Sequence, residues 1–302
     1  MSFAVVEHAR PAALPVALES RAFLDYRRRG MRRSALPGFG LSMGITLFWL
    51  ALIVVIPLCA VVIRSAGGGL EHFIAVGFSP RAMAAYRVTF VSALIATSIN
   101  AVFGLIIAWV LVRIRFPGRR LLSAAIDLPF ALPTAVAGIA LTTLYANTGW
   151  IGAHLEPMGI KIAYQPAGIV VALIFIGLPF IVRSIEPVLA DLDRSVEEAA
   201  ATLGANRWQI FAYVIFPAIL PALLTGFALA LARCVGEYGS VIFIAGNMPK
   251  ISEIAPLLII TSLEQYDYPG ASAIAVVMLL ISFSILIALN IIQGRARRRR
   301  GE

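Results

Sequence analysis

Of the 302 residues, 60% are hydrophobic and 14% are charged, whereas a soluble domain carries about 25% charged residues. That composition excludes an ordinary pair of soluble domains and points to a chain that crosses a membrane several times. The net charge of +9 comes from arginines that flank apolar runs rather than from one basic domain, which argues against nucleic-acid binding.

Residues 1–36 hold no sustained apolar period, and their arginines cluster toward the first apolar run. They read as a loosely ordered cytoplasmic tail, with Met31 as a second candidate start. A membrane domain follows over 37–294, and a basic cytoplasmic tail closes the chain over 295–302. Uncharged runs within the domain are Met43–Ile63, Val88–Val112, Leu128–Ala153, Ile162–Val182, Trp208–Ala232 and Tyr268–Gly294. Each reaches the length of about 20 residues that a spanning helix needs, so six spans are predicted. The first run begins only at Met43 and exceeds a signal-peptide core, so it is not a cleavable signal. Two shorter pieces, Tyr238–Pro249 and Ile254–Leu263, read as re-entrant or interfacial segments. Such backbone survives at membrane depth only against protein or a water-filled cavity.

Orientation follows from the basic residues. With a cytoplasmic N-terminus, nineteen arginines fall inside, at positions 10–33, 113–120, 183–207 and 295–300. Only Arg64, Arg81, Arg87, Lys161 and Lys250 fall outside, a strong positive-inside bias that puts both termini in the cytoplasm.

Chemistry is sparse. Cys59 and Cys234 both lie in predicted spans and read as small packing residues. His8, His72 and His154 lack metal-ligand spacing, so no metal site is expected. G-x-S-x-G, H-E-x-x-H and Walker A patterns are all missing, which leaves no catalytic constellation and no resident nucleotide site. Arg233 and Glu237 are four residues apart, a spacing that shares a helix face. Either they form a neutralising structural pair near the outer interface, or Arg233 attracts an anion. Asp127 favours a helix N-terminus. Pro129, Pro133, Pro179 and Pro221 supply either gating bends or packing features.

The segment 183–216 looks built rather than merely connecting. Ser195 with Glu198 matches a capping box, predicting a helix from Val196. Gly204 sits where that helix would end in a left-handed residue, and Asn206 with Gln209 would cap a second helix. Pro217 marks where the fifth span is entered. Taken alone, these residues fit a projecting helical pair and an amphipathic helix on lipid headgroups equally well.

Glu198-Ala199-Ala200, three residues, Gly204, nine residues and Val214-x-Phe216-Pro217 resemble the EAA loop of ABC importer permeases. Val214 and Phe216 depart from that pattern but remain apolar. Downstream, "CVGEYGSVIFIAGNMP" and "LEQYDYPGASAIA" are similar to sulfate/thiosulfate permeases of the CysT type, and Tyr266-Asp267-Tyr268-Pro269 tips the likeness away from molybdate permeases. Gly236, Glu237, Gly246 and Asn247 are common to both groups.

The resemblance implies an all-α type I ABC importer permease fold with six transmembrane helices. The loop at about 190–217 would dock on a separate ATPase through Glu198, Ala199, Ala200, Gly204 and Pro217. Implied partners are two copies of that ATPase, a second CysW-type permease, a periplasmic sulfate/thiosulfate-binding protein and the lipid bilayer of a bacterial inner membrane. ATP and Mg would bind the ATPase, leaving this chain without catalysis or a cofactor of its own. Arg233, Glu237 and Asn247 are pathway candidates. Competing readings are a molybdate/tungstate permease, a secondary anion transporter or channel, and a membrane-embedded enzyme.

Overall fold

The computed structural model describes residues 39–298. The expectations for the tail over 1–36, for Met31, for His8 and for the last four residues lie outside that range. Contacts divide the chain at Cys59–Ala60 into two units, and all packing below lies within the second.

Among the described residues the structure is entirely helical. Five stretches are long and apolar enough to cross a membrane. They are α1 (Phe39–Gly77), α2 (Pro80–Arg113), α5 (Pro166–Asp191), α7 (Arg207–Val235) and α9 (Tyr268–Arg298, apolar through Gly294). Shorter helices join them: α3 (Arg119–Ile126), α4 (Thr134–Tyr145), α6 (Arg194–Thr202) and α8 (Ala255–Glu264). The predicted piece Tyr238–Pro249 holds one helical turn at Val241–Ile244, and Ile254–Leu263 becomes α8.

Helix ends follow local chemistry more closely than apolar runs do. Ser79 caps α2 by accepting the Ala82 amide at 3.2 Å, with Pro80 as the first helical residue. The helix therefore starts eight residues before the apolar run, and its first turns carry Arg81 and Arg87. Pro166 likewise opens α5, after Tyr164 turns the chain with φ +63.

The run Leu128–Ala153 does not form one span. Pro129 and Pro133 divide it: Leu132 is extended ahead of Pro133, as steric contact with a following proline requires. What remains is a turn at Leu128–Ala131 and then α4, which ends at Tyr145 before Ala146 turns extended. Twelve residues of α4 reach about 18 Å at 1.5 Å per residue, well short of a bilayer core.

Two helices widen into π turns, at Ala51–Val55 and Phe211–Ile215. Each lies just ahead of a proline, Pro57 and Pro217. A proline ring clashes with the carbonyl four residues earlier and lacks the amide that would bond it, and one added residue per turn relieves both problems. Pro217 is thus the point where α7 regains regular α geometry, while the helix itself begins at Arg207.

α5 is the centre of the packing and lies chiefly against α2 and α7. Ile181, Ile185 and Leu189 of α5, Ala108 and Leu111 of α2, and Ile215 and Ile219 of α7 form one buried cluster. Gly226 lets α7 approach closely: a Cβ there would lie 3.1 Å from the Ile181 Cα. Close approach of small residues is how helices associate where lipid removes the hydrophobic driving force. A second cluster joins Ala82, Ala85 and Tyr86 of α2 to α8 and α9. Large apolar side chains on the outside of α2 and α9, such as Phe103, Leu280 and Ile287, stay exposed and suit a lipid surround.

Candidate functional site

The segment joining α5 to α7 is two helices with a sharp bend. Its first cap corrects the sequence expectation. Asp193, not Ser195, is the N-cap, and its Oδ1 accepts the Ser195 amide at 2.9 Å. Asp caps as well as Ser does, and with Arg194 already helical the Ser195 amide becomes the donor. That bond holds the Asp193 carboxyl below the usual aspartate range. Glu198 is left exposed, outside any ion pair among the described residues. Its neighbour Glu197 instead pairs with Arg113 at the end of α2, at 2.5 Å.

Gly204 takes φ +88, the left-handed geometry expected of it. Its amide bonds the Ala201 carbonyl at 3.0 Å and the Ala205 amide bonds Ala200 at 3.1 Å, which satisfies the carbonyls left open at the end of α6 in a Schellman arrangement. The Asn206 and Gln209 capping box forms as predicted, with bonds of 2.8 and 2.9 Å. Ala199 and Gly204 are exposed, Ala200 and Pro217 half-buried. Beside the bend, Leu203 is 89% and Trp208 81% exposed, so neither serves this chain's own core. Large apolar side chains at a bend next to a free carboxylate make a surface suited to a protein partner.

The base of this segment is braced. Arg113 also donates to the Leu192 carbonyl at 3.4 Å and lies over the Trp109 ring. Trp109 in turn meets Phe211 edge-on at 6.0 Å. On α5, Arg183 donates to both Asp127 oxygens at 2.9 and 2.5 Å, to Ser123, and to Glu186. Asp127 does stand at the N-cap position of the Leu128–Ala131 turn; its side chain makes no capping bond there and also neutralises Arg183.

At the other end of these helices, Arg233 and Glu237 meet at 2.5 Å. They do not share a helix face, because α7 stops at Val235 and Glu237 lies beyond it. Glu237 is 3% exposed and also accepts from the Ser240 amide and hydroxyl. Asn247 is not joined to them by any hydrogen bond. It turns the chain with φ +52 and donates to the Ile242 carbonyl at 2.8 Å. Arg81 and Glu253 form a two-pronged pair at 2.8 and 2.7 Å, which no local spacing foretells because 172 residues separate them.

Comparison with known proteins accords with this architecture. Residues 100–301 match the family described as binding-protein-dependent transport system inner membrane component. The chain is 50% identical over 254 residues to the "Sulfate transport system permease protein CysT" of Synechocystis sp., covering 84% of this chain and 89% of that protein. It is 48% identical over 267 residues to the protein of the same name in Escherichia coli strain K12, covering 88% and 96%. Among solved structures, it is similar to a chain of a bacterial ABC transporter involved in import of the acidic polysaccharide alginate. That likeness has TM-score 0.71 at 16% identity, over 91% of this chain and 99% of the other, and it speaks to the fold alone. The chain belongs to the binding-protein-dependent transport system inner membrane component family, in its CysT-type branch.

Proposed function

We propose that this chain is the non-catalytic permease subunit of an ATP-driven sulfate/thiosulfate importer in a bacterial inner membrane. The observation that carries this reading is 48–50% identity, over most of both chains, to permeases named for sulfate transport. Both termini are cytoplasmic, and the divided segment from α3 through α4 serves as the sixth crossing beside the five long helices. A second CysW-type permease completes the pathway, two ATPase copies bind ATP and Mg, and a periplasmic protein delivers the anion.

Sulfate is a strongly hydrated dianion, and burying it without partners costs far more than a pathway wall returns. Selection is therefore left to the binding protein, while the permease offers a weak, briefly open route. Coupling runs through the bend at Gly204. Leu203 and Trp208 beside it, with Glu198, supply the apolar and acidic contacts to the ATPase. The Arg113–Glu197 pair then carries movement of α6 into α2. Glu198, Ala199, Ala200, Gly204 and Pro217 act as one docking unit. Arg233 and Glu237 neutralise each other, and Asn247 shapes its own turn, so these three hold the pathway wall rather than bind the anion.

Deletion tests the substrate directly. Cells lacking the chain are expected to grow poorly on sulfate and normally on cysteine. Loss of molybdate uptake with intact sulfate uptake would assign the chain to molybdate/tungstate import instead. Unimpaired ATP-independent anion flux by the purified chain would favour a secondary transporter or channel.

A further inference from the structure

A groove of about 730 Å³ opens between the first turns of α2, the start of α5 and the loop that carries Lys250. The charged residues lining it are Arg87 and Lys250, both positive, and no carboxylate joins them. Both are exposed, and neither takes part in an ion pair among the described residues. Arg81, nearly two turns earlier on α2, contributes little to the field, because buried Glu253 neutralises it.

Several bonds fix Lys250 in this position. Lys250 takes φ +65 at the tip of a tight loop. Behind it the Met248 carbonyl accepts the amides of Ile251, Ser252 and Glu253 at 3.1, 2.9 and 3.1 Å. Ser252 Oγ accepts the Met248 amide at 3.0 Å. Two ties then clamp the loop to α2: the Arg81–Glu253 pair, and the Ala255 amide on Thr89 Oγ1 at 2.8 Å. Arg81 and Thr89 bracket Arg87 along the helix, so the clamp holds Lys250 over the stretch of α2 that carries Arg87. Positively charged residues left unneutralised beside a low-dielectric wall attract anions and repel one another until an anion arrives. The remaining wall is apolar, with Met83, Val91 and Val170, and Ser92 is its one side-chain hydroxyl. The two cations attract an oxyanion, while the apolar wall offers nothing to replace its hydration shell.

We infer that Arg87 and Lys250 form an electrostatic receiving site for a tetrahedral oxyanion at the outer mouth of the pathway. This rests on the importer reading above and extends it by naming where the released dianion first meets the permease. Two sources share that chemistry, free sulfate and a phospholipid headgroup phosphate, and the inference commits to the transported anion.

The test uses the complete complex in lipid vesicles, with saturating sulfate-loaded binding protein, and compares wild type with the double variant Arg87→Gln, Lys250→Gln. Uptake is expected to fall roughly tenfold, the lower end of what electrostatic focusing supplies, while stimulation of ATP hydrolysis persists. The charge-preserving pair Arg87→Lys, Lys250→Arg is expected to restore uptake. Added sodium chloride is expected to slow wild-type uptake more steeply than that of the double variant. Wild-type rates and salt dependence in the double variant would overturn the inference while leaving sulfate import intact. Loss of co-purifying phosphatidylglycerol with undiminished uptake would also overturn it, by assigning the cations to lipid. A wild-type complex that imports molybdate but not sulfate would instead overturn the substrate reading on which the inference rests.

Discussion

Arg113 Nη2 and Glu197 Oε1 lie 2.5 Å apart although 84 residues separate them in the chain. The pair joins the last turn of a membrane helix to the first turn of the helical bend, with side chains 11% and 24% exposed. The pair ties the start of α6 to the end of α2.

Breaking the tie is expected to uncouple transport rather than unfold the chain. Glu197→Gln removes a charge-assisted bond worth about 1.5–3 kcal/mol. The α5 core with Ile181, Ile185 and Leu189 is untouched, so the variant accumulates in the membrane. Sulfate moved per ATP hydrolysed is expected to drop, and the exchange Arg113→Glu with Glu197→Arg to recover part of it. A double-mutant cycle that returns no coupling energy between the two positions would contradict the tie.

Asp193 gives the bend a defined acid response. Its folded-state pKa is depressed by the bond from the Ser195 amide, so its contribution is present above the unfolded pKa, about 3.9. That contribution is lost only as pH falls through the lower, folded value. Amide-exchange protection of α6 is therefore expected to hold across neutral pH and to fall in acid. Asp193→Asn keeps a cap without the titration, and its protection is expected to be flat over the same acid range. Equal acid sensitivity in both proteins would remove Asp193 as the cause.

Labelling tests the orientation. Trp150 and Leu203 are 86% and 89% exposed, at opposite ends of the proposed topology. In a background with Cys59 and Cys234 replaced, Trp150→Cys is expected to react with an impermeant thiol reagent in spheroplasts. Leu203→Cys is expected to react only after permeabilisation. Reaction of Leu203→Cys in intact spheroplasts would invert the topology and remove the bend from the ATPase side.

Local signals foretold local features. Gly204, Asn206 and Gln209 could be assigned from sequence because a left-handed stop and a capping box are each settled within six residues. Five apolar runs became long helices because sustained hydropathy over about 20 residues is itself written in the sequence. The third run failed because its hydropathy carries no record of what Pro129 and Pro133 do to the backbone. Ser195 with Glu198 matches a capping-box pattern in sequence, but that pattern carries no record that Asp193, two residues earlier, takes the cap. Arg113–Glu197, Arg183–Asp127 and Arg81–Glu253 lay out of reach, since separations of 84, 56 and 172 residues are set by how α2, α3, α5 and the Lys250 loop pack, and no periodicity encodes that. Arg87 and Lys250 counted only as outside charges until the fold brought them to one groove.

The most direct measurement is radiolabelled sulfate imported per ATP hydrolysed, in vesicles holding the full complex with wild type, Gly204→Ala or Gly204→Val. Nothing lies within 4 Å of where a Cβ would sit on Gly204, so φ +88 alone sets the cost. A left-handed L-residue costs about 1–2 kcal/mol, and a β-branched side chain tolerates that geometry least. Both variants are expected to insert normally, with uptake per ATP reduced in Gly204→Ala and largely abolished in Gly204→Val. Wild-type uptake and ATPase binding in Gly204→Val would show that the bend is only a connector and contradict the coupling account.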